Sequence, residues 1–370
     1  MTSRDGSIRC AIKEYRRRKG LSQDELAELI GVRRQAVYDM ESGRYLPNTA
    51  VALRLARVLG CTVERLFAEE APAAEIGGVH LLNEAEAAAR LSLAQVREKI
   101  VGVPLQGVRT MPFKLDAADG FLLADKTFDC QIPRAQLART LLVLGCDPAL
   151  SVLSGLIPRV APGIRAHTVF ASSRQALLSV NAGNAHVAGI HYHSFGPSGG
   201  NIEAVRSLSP DLDCLLIAFS VQEEGFMVAS GNPLSIRTVE DIANGRTRFV
   251  NREEGAALKK LLDTQLSQRG MPSSEVKGYT EEVYSHSEGA MRVASGNADA
   301  ALGLRIVAES FGLAFVPLAV TRCDLVIPSD LRDHPGIAVL LDVLQSSGIR
   351  RELGSLPGYD SADTGKRISG

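Results

Sequence analysis

Tryptophan is missing from this 370-residue sequence, and Phe, Trp and Tyr together make up only 5% of it. An excess of either charge is missing too. Forty-one basic residues against 42 acidic ones leave a formal net charge of −1, so bulk charge does not mark the chain as a binder of nucleic acid. No stretch approaches the ~18 consecutive apolar residues of a membrane helix. The opening MTSRDGSIRC has no apolar core of the signal-peptide kind. A cytoplasmic protein with no membrane partner is therefore expected. Cysteine is sparse: Cys10, Cys61, Cys130, Cys146, Cys214 and Cys323 form no C-x-x-C pair, which suits isolated thiols in a reducing compartment. There is no H-E-x-x-H or comparable ligand spacing, so neither a metal nor a covalent cofactor is expected.

What is present is ordinary for a folded protein: 45% apolar and 22% charged residues. The length is more than twice a ~150-residue domain, which predicts more than one domain. The first seventy residues read as short helices with tight turns. The expected spans are 8–19, 22–30, 33–41, 49–59 and a short fifth at 63–67. Ser22 and Glu25 form a capping-box pair for the second, whose Leu26, Leu29 and Ile30 share one face. Gly31 and Gly60 follow helix ends, and Thr49 is the candidate cap of the fourth. Residues 69–80 are rich in Ala, Glu, Gly and Pro and read as a linker. Residues 81–138 are expected to hold a small helix and β pieces, with a strand at 99–103 and turns at Asp119-Gly120 and Asp125-Lys126. From 139 onward, strand-length runs (140–144, 166–170, 185–190, 213–219, 246–250, 276–279, 298–302, 313–317) alternate with helical stretches (174–180, 256–268, 287–294). That alternation predicts parallel sheets flanked by helices, in two α/β lobes around a cleft. The predicted division is 8–68, a connector at 69–138, and 139–362.

The run Leu21-Ser22-Gln23-Asp24-Glu25-Leu26-Ala27-Glu28-Leu29-Ile30-Gly31-Val32 leads into Arg33-Arg34-Gln35-Ala36-Val37-Tyr38-Asp39-Met40-Glu41. Ala27 is small where two helices cross, Gly31 makes the turn, and Val37 packs back. This pattern, with Glu41-Ser42-Gly43 and Leu66-Phe67 behind it, resembles the XRE family of lambda-Cro-like helix-turn-helix regulators over residues 8–67. The resemblance implies double-stranded DNA as a partner. It puts Gln23 on a phosphate, bracing the third helix. Arg34, Gln35 and Tyr38 fall on the base-reading helix, with Ala36 placed to meet a thymine methyl. Asp39 either reads a cytosine amine or pairs with an arginine. Arg33 replaces a small capping residue and adds a phosphate contact, while Arg44 and Asn48 position the backbone. Between Arg9 and Lys19, six basic residues stand against the single acid Glu14. Beside such a motif they read as phosphate attraction, with Arg17 among them.

The second half carries Gly145-Cys146-Asp147-Pro148-Ala149-Leu150, Ala171-Ser172-Ser173-Arg174, Ala188-Gly189-Ile190-His191, Phe249-Val250-Asn251-Arg252, Gly278-Tyr279-Thr280, Asn297-Ala298-Asp299 and Leu356-Pro357-Gly358-Tyr359-Asp360. In order and spacing these resemble a periplasmic-binding-protein-like domain of the molybdate-binding sort, fused behind the helix-turn-helix. The implied fold is thus multidomain: an all-α head of five short helices and a two-lobed α/β (type II) module. The implied effector is a small oxyanion, molybdate or tungstate, held at helix N-termini that point N–H groups into the cleft. Asp147, Ser172, Ser173, His191, Asn251, Arg252, Gly255, Ala256 and Thr280 are the candidate ligand residues. One departure stands out: a Gly-Ser-Gly-Thr-Arg-like stretch of related proteins is here Gly255-Ala256-Ala257-Leu258-Lys259, so only backbone donors and Arg252 remain. A larger or organic ligand stays open, as does a constitutive regulator whose second domain only dimerises. A homodimer reading two half-sites is expected. Catalysis is not: Cys146 sits at a strand end, but its spacing identifies no paired base. His191 and His193 read as residues of a cleft or its rim, and Asp299 as a cleft residue or a cap.

Overall fold

The computed structural model describes residues 8–69, 79–105, 116–124, 127–193 and 200–368. The linker expected at 69–80 falls largely outside the described residues, as does the turn at Asp125-Lys126. The chain divides into two units, 1–76 and 77–370.

In the first unit, β1 (Ile8–Cys10) pairs antiparallel with β2 (Phe67–Glu69), closing the ends of a five-helix unit. Between them lie α1 (Ile12–Arg18), α2 (Gln23–Ile30), α3 (Arg34–Glu41), α4 (Thr49–Leu59) and α5 (Val63–Leu66). The first helix is therefore shorter than the expected 8–19, and Phe67 belongs to a strand: both termini are drawn into the β pair. The capping box forms, with Glu25 N–H donating to Ser22 Oγ at 3.1 Å and Ser22 N–H to the Glu25 carboxylate at 2.7 Å. The cap of α4 is Asn48, not Thr49; its Oδ1 accepts from Val51 N–H at 3.0 Å. Ile12, Leu26, Ile30, Val37, Met40, Leu55 and Leu66 form the core. Leu29 does not join it and is 56% exposed, because Ala27 takes the inner position where α2 crosses its neighbours. Arg16, read from sequence as part of the basic surface, points inward instead.

In the second unit, a five-stranded sheet comes first: β3 (His80–Leu81), β4 (Arg90–Val96), β5 (Lys99–Pro104), β6 (Gly120–Leu122) and β7 (Phe128–Cys130), in the order β3-β5-β4-β6-β7. The short helix α6 (Arg134–Leu137) follows. Next come β8 (Thr140–Gly145), α7 (Ser151–Val160), β9 (Arg165–Phe170), α8 (Ser173–Asn181), β10 (Val187–Ile190), α9 (Gly200–Leu208) and the long β11 (Cys214–Val228). Then follow α10 (Val239–Ile242), β12 (Phe249–Arg252), α11 (Ala257–Gln268), β13 (Glu282–Val283), α12 (His286–Ala294), β14 (Ala300–Leu304), α13 (Arg305–Ser310) and the equally long β15 (Ala314–Pro328). The chain ends in α14 (Pro335–Gln345), α15 (Ser347–Gly354) and β16 (Tyr359–Asp360).

One curled mixed sheet, ordered β13-β12-β14-β11-β15-β10-β8-β9, runs through both lobes. Its β8–β9, β8–β10, β12–β14 and β12–β13 pairs are parallel. The first lobe holds β8, β9 and β10, the second β12, β13 and β14. β11 and β15, antiparallel along their whole length, link the two. The expected strands at 213–219 and 313–317 end well short of these, because Gln222-Glu223-Glu224 and Thr321-Arg322-Cys323-Asp324 interrupt the apolar runs. The expected strand at 276–279 is a turn instead. Gly278 there has φ +91° and lies so close to the Phe249 carbonyl that a Cβ would collide with it.

The small sheet is part of the first lobe's packing. Ala94, Val96, Val101 and Val103 cover Leu142 and Leu144 of β8, on the same side as α8. Asp119, read from sequence only as a turn residue, ties it down. Its carboxylate accepts from Leu93 N–H at 2.9 Å and Arg165 Nη1 at 2.7 Å, and lies 3.2 Å from His167 Nε2.

Candidate functional site

The head presents α3 outward. Val37 and Met40 anchor it in the core, which leaves Arg34, Gln35 and Tyr38 exposed. Its N-cap, Arg33, makes no side-chain cap bond, so the first-turn N–H groups of α3 stay uncapped by a side chain. Arg34 has only a loose pairing with Asp24, 3.6 Å away, both groups well exposed. Gln35 Nε2 donates to Asp39 Oδ1 at 3.1 Å, and Arg44 lies 3.6 Å from the same carboxylate and over the Tyr38 ring. Asp39 is therefore paired with an arginine within this unit. Gln23 braces α3 through Glu41, donating to Oε2 at 2.8 Å. Asn48 spends its carbonyl on the α4 cap. Arg17 is exposed on α1, and Ala36 is half-buried.

The second site lies between the lobes of the C-terminal unit. Cys146, Ser172, Ser173 and His191 line it from the first lobe, and Arg252, Ala256, Ala257, Leu258 and His286 from the second. The enclosed space is about 10 Å³, room for one water. It adjoins, at Ala256 and Ala257, a wider opening of about 410 Å³ lined by Arg174, Tyr192, Gly255, Lys259 and Lys260 among others.

Each wall follows from local sequence. Ser172 caps α8 in a capping box with Gln175, which brings Ser173 to the cleft with its hydroxyl on the His191 backbone, 3.0 Å from N. Across the cleft, Ala256 is the N-cap of α11, and among the described residues no side-chain cap bond forms at the start of that helix. Arg252 is 2% exposed. Its Nε and Nη2 donate to Glu253 at 3.0 and 3.1 Å, and Nη1 to His286 Nδ1 at 2.9 Å. Among the described residues two of its five N–H groups remain uncommitted. Burial pushes His286 well down, and the neighbouring Arg252 charge adds to this, so it accepts as a neutral ring.

His191 is in the opposite state. Burial works to push it down, but the facing Cys146 sulfur and Glu224 carboxylate outweigh that and raise it to about 9. Its Nδ1 is 3.3 Å from Cys146 Sγ, and its Nε2 is 3.2 Å from Glu224 Oε1. His193 Nε2 lies 2.9 Å from the other Glu224 oxygen, and Thr321 Oγ1 donates to it at 3.1 Å. Glu224 is wholly buried at a bulge in β11, beside Gly225, where a Cβ would collide with the Val316 carbonyl.

A family model described as a PBP superfamily domain matches residues 155–345, more than half of the chain. The chain belongs to the PBP superfamily. A helix-turn-helix model matches residues 12–66, so this PBP-superfamily chain joins a DNA-binding head to a ligand-binding module. The uncharacterised protein YvgK of Bacillus subtilis is 28% identical over 199 residues, which is 54% of this chain; the chain covers 64% of YvgK's length. An uncharacterised HTH-type transcriptional regulator of Methanothermobacter thermautotrophicus is 49% identical over 53 residues, covering 14% of this chain and 77% of that one. Among solved structures, a putative phosphate transporter substrate-binding protein of Clostridium perfringens with bound phosphate is similar at a TM-score of 0.46. It is 10% identical, over 58% of this chain and 96% of that one.

The PBP-like module brings together Ser172, Ser173, His191, Arg252 and Ala256, with Gly255 at the wider opening. It places the other three candidates elsewhere. Asp147 is buried as a cap, accepting from Ala149 N–H, Ser220 Oγ and Tyr359 Oη at 2.8, 2.8 and 2.6 Å. Asn251 is consumed by the Tyr279 carbonyl and its own chain neighbour. Thr280 is exposed in a turn. Asp299 pairs with Arg248 at 2.6 Å and accepts from its backbone, a structural role. Ala257, Leu258, His286 and Glu224 were not singled out for ligand roles: two are apolar residues offering only backbone, and the others come from chain segments far from their partners.

Proposed function

We propose that this regulator binds a small anion between the lobes of its PBP-like module and that binding changes how its helix-turn-helix head engages DNA. The observation that carries this reading is Arg252: a buried guanidinium with two uncommitted N–H groups, beside the side-chain-free N-terminus of α11. Charge and N–H donors together favour an anionic headgroup. Molybdate or tungstate is the first candidate, and a carboxylate-bearing organic molecule the next. A tetrahedral anion does not fit a one-water space, so it enters with the lobes parted, and closure follows as a hinge movement along β11 and β15. A homodimer would present two heads to two half-sites.

Calorimetric titration of the full chain with molybdate, tungstate, sulfate and phosphate tests this. Heat is expected with at least one of them. Arg252→Gln should weaken that binding by about 10- to 100-fold, the range of a charge-assisted hydrogen bond. Silence with all four removes the oxyanion and leaves the organic anion. Unchanged affinity after Arg252→Gln removes the guanidinium from the site.

A further inference from the structure

The DNA-binding and anion-binding readings leave one cluster in the cleft unused: Cys146, His191 and Glu224. Cys146 follows the last residue of β8 and reaches the cavity wall, though it is only 6% exposed. The Ser173 hydroxyl bonds both the backbone N–H and the carbonyl of His191 and so fixes the main chain that carries the ring. One ring nitrogen faces sulfur and the other a buried carboxylate oxygen. Cys146 thus has an imidazole within reach to handle its proton, with a buried carboxylate beside that ring, the arrangement that makes a thiol a nucleophile. On the same face of β11, Ser220 reaches Asp147 and Glu224 reaches His191. Gln222 lies between them, buried, and among the described residues neither of its amide atoms is hydrogen-bonded.

We propose that Cys146 is a modification site, a nucleophilic cysteine that reacts with hydrogen peroxide inside the cleft. The closed space of about 10 Å³ holds one water, so the peroxide, like the anion, enters with the lobes parted. The step is balanced by groups already present. The Cys146 sulfur attacks one peroxide oxygen, an S–O bond forms and the O–O bond breaks. The leaving hydroxide takes the proton that Cys146 and His191 hold between them and departs as water. Sulfur is oxidised by two electrons, the peroxide is reduced, and the product is a sulfenic acid on Cys146 with neutral His191 beside it. This proposal does not rest on the anion reading, since a cleft free of anion is the one that reacts.

Three of the other five thiols supply the control. Cys10, Cys61 and Cys214 are each more exposed than Cys146, and burial still pushes each of them up. The full-length protein is treated with limiting hydrogen peroxide in the presence of dimedone, and labelled peptides are quantified by mass spectrometry. Access alone predicts Cys146 to be among the slowest. The proposal predicts the reverse, with Cys146 labelled about tenfold faster than the other three. Labelling of Cys10, Cys61 or Cys214 at an equal or higher rate overturns it. His191→Gln should slow Cys146 by about tenfold while leaving Cys61, in the other unit, unchanged. Undiminished Cys146 labelling in that variant overturns the relay. If the variant unfolds the module, Cys214 labelling rises with it, and the wild-type ranking decides the matter alone.

Discussion

Glu41→Ala is expected to cost the DNA-binding unit about 3 kcal/mol, a shift of more than 100-fold in its folding equilibrium. Arg16 Nε lies 2.6 Å and Nη2 3.1 Å from the Glu41 carboxylate, with side-chain exposures of 10% and 3%. Arg16 Nη1 also donates to the Leu21 carbonyl at 2.7 Å, and Gln23 to Glu41. One carboxylate thus joins α1, the start of α2 and the end of α3. Removing it leaves a guanidinium in the interior, far costlier than losing a surface pair. A head of about sixty residues has only a few kcal/mol to lose. Hydrogen exchange, followed peptide by peptide in the full chain, should show protection collapsing over 12–66 and unchanged over 139–360. Retained protection in the head would contradict the role given to this pair. Burial works to raise the Glu41 carboxyl, but Arg16 and Gln23 outweigh it and hold it below the usual carboxylate value. The pair's contribution is therefore full at neutral pH and is lost as the pH falls through that lowered value.

Arg34→Ala is expected to leave folding untouched and to remove roughly 1–3 kcal/mol of base discrimination at one position of the operator. The side chain is 66% exposed and meets only Asp24 at 3.6 Å, so no structural debt follows its removal. Arg17→Ala should act differently: it weakens binding to all sequences alike and lowers the salt slope by about one. Duplexes selected from a random pool by each variant separate the two effects. An unaltered base preference after Arg34→Ala would remove α3 from base reading. Gln35 enters the same comparison with its amide on Asp39, a bond it must give up to reach adenine.

Much of the architecture was legible in the residues. The capping box at Ser22, the small Ala27 and the turn at Gly31 act locally, and the head folds as they direct. Strand–helix alternation after 139 announced two α/β lobes for the same reason. What escaped notice depends on partners distant in sequence. Arg16 looked like one more member of a basic run, because its commitment to Glu41 lies 25 residues away. Asp119 looked like a turn residue, because its partners Arg165 and His167 come from another sheet. β11 and β15 looked short because polar residues interrupt them, and those residues are where the strands run from one lobe to the other and where Glu224 and Thr321 meet the two histidines.

The cleft divides the same way. Ser172, Ser173, Arg252 and Ala256 could be picked out because each adjoins a strand end or helix start. Cys146 was set aside for want of a base, and the base is His191, 45 residues on. Asp147 and Asn251 drew attention as polar residues at strand ends, yet both are consumed by backbone and neighbouring hydroxyls.

The central claim is that occupancy of the cleft changes DNA binding, and one measurement reaches it directly. Fluorescence anisotropy of the full chain on a selected duplex is recorded without and with a saturating concentration of the anion that gives heat in calorimetry. Lobe closure coupled to the heads predicts at least about a fivefold change in affinity, the lower end of ordinary coupling energies. The same affinity in both titrations, with the anion demonstrably bound, would contradict it.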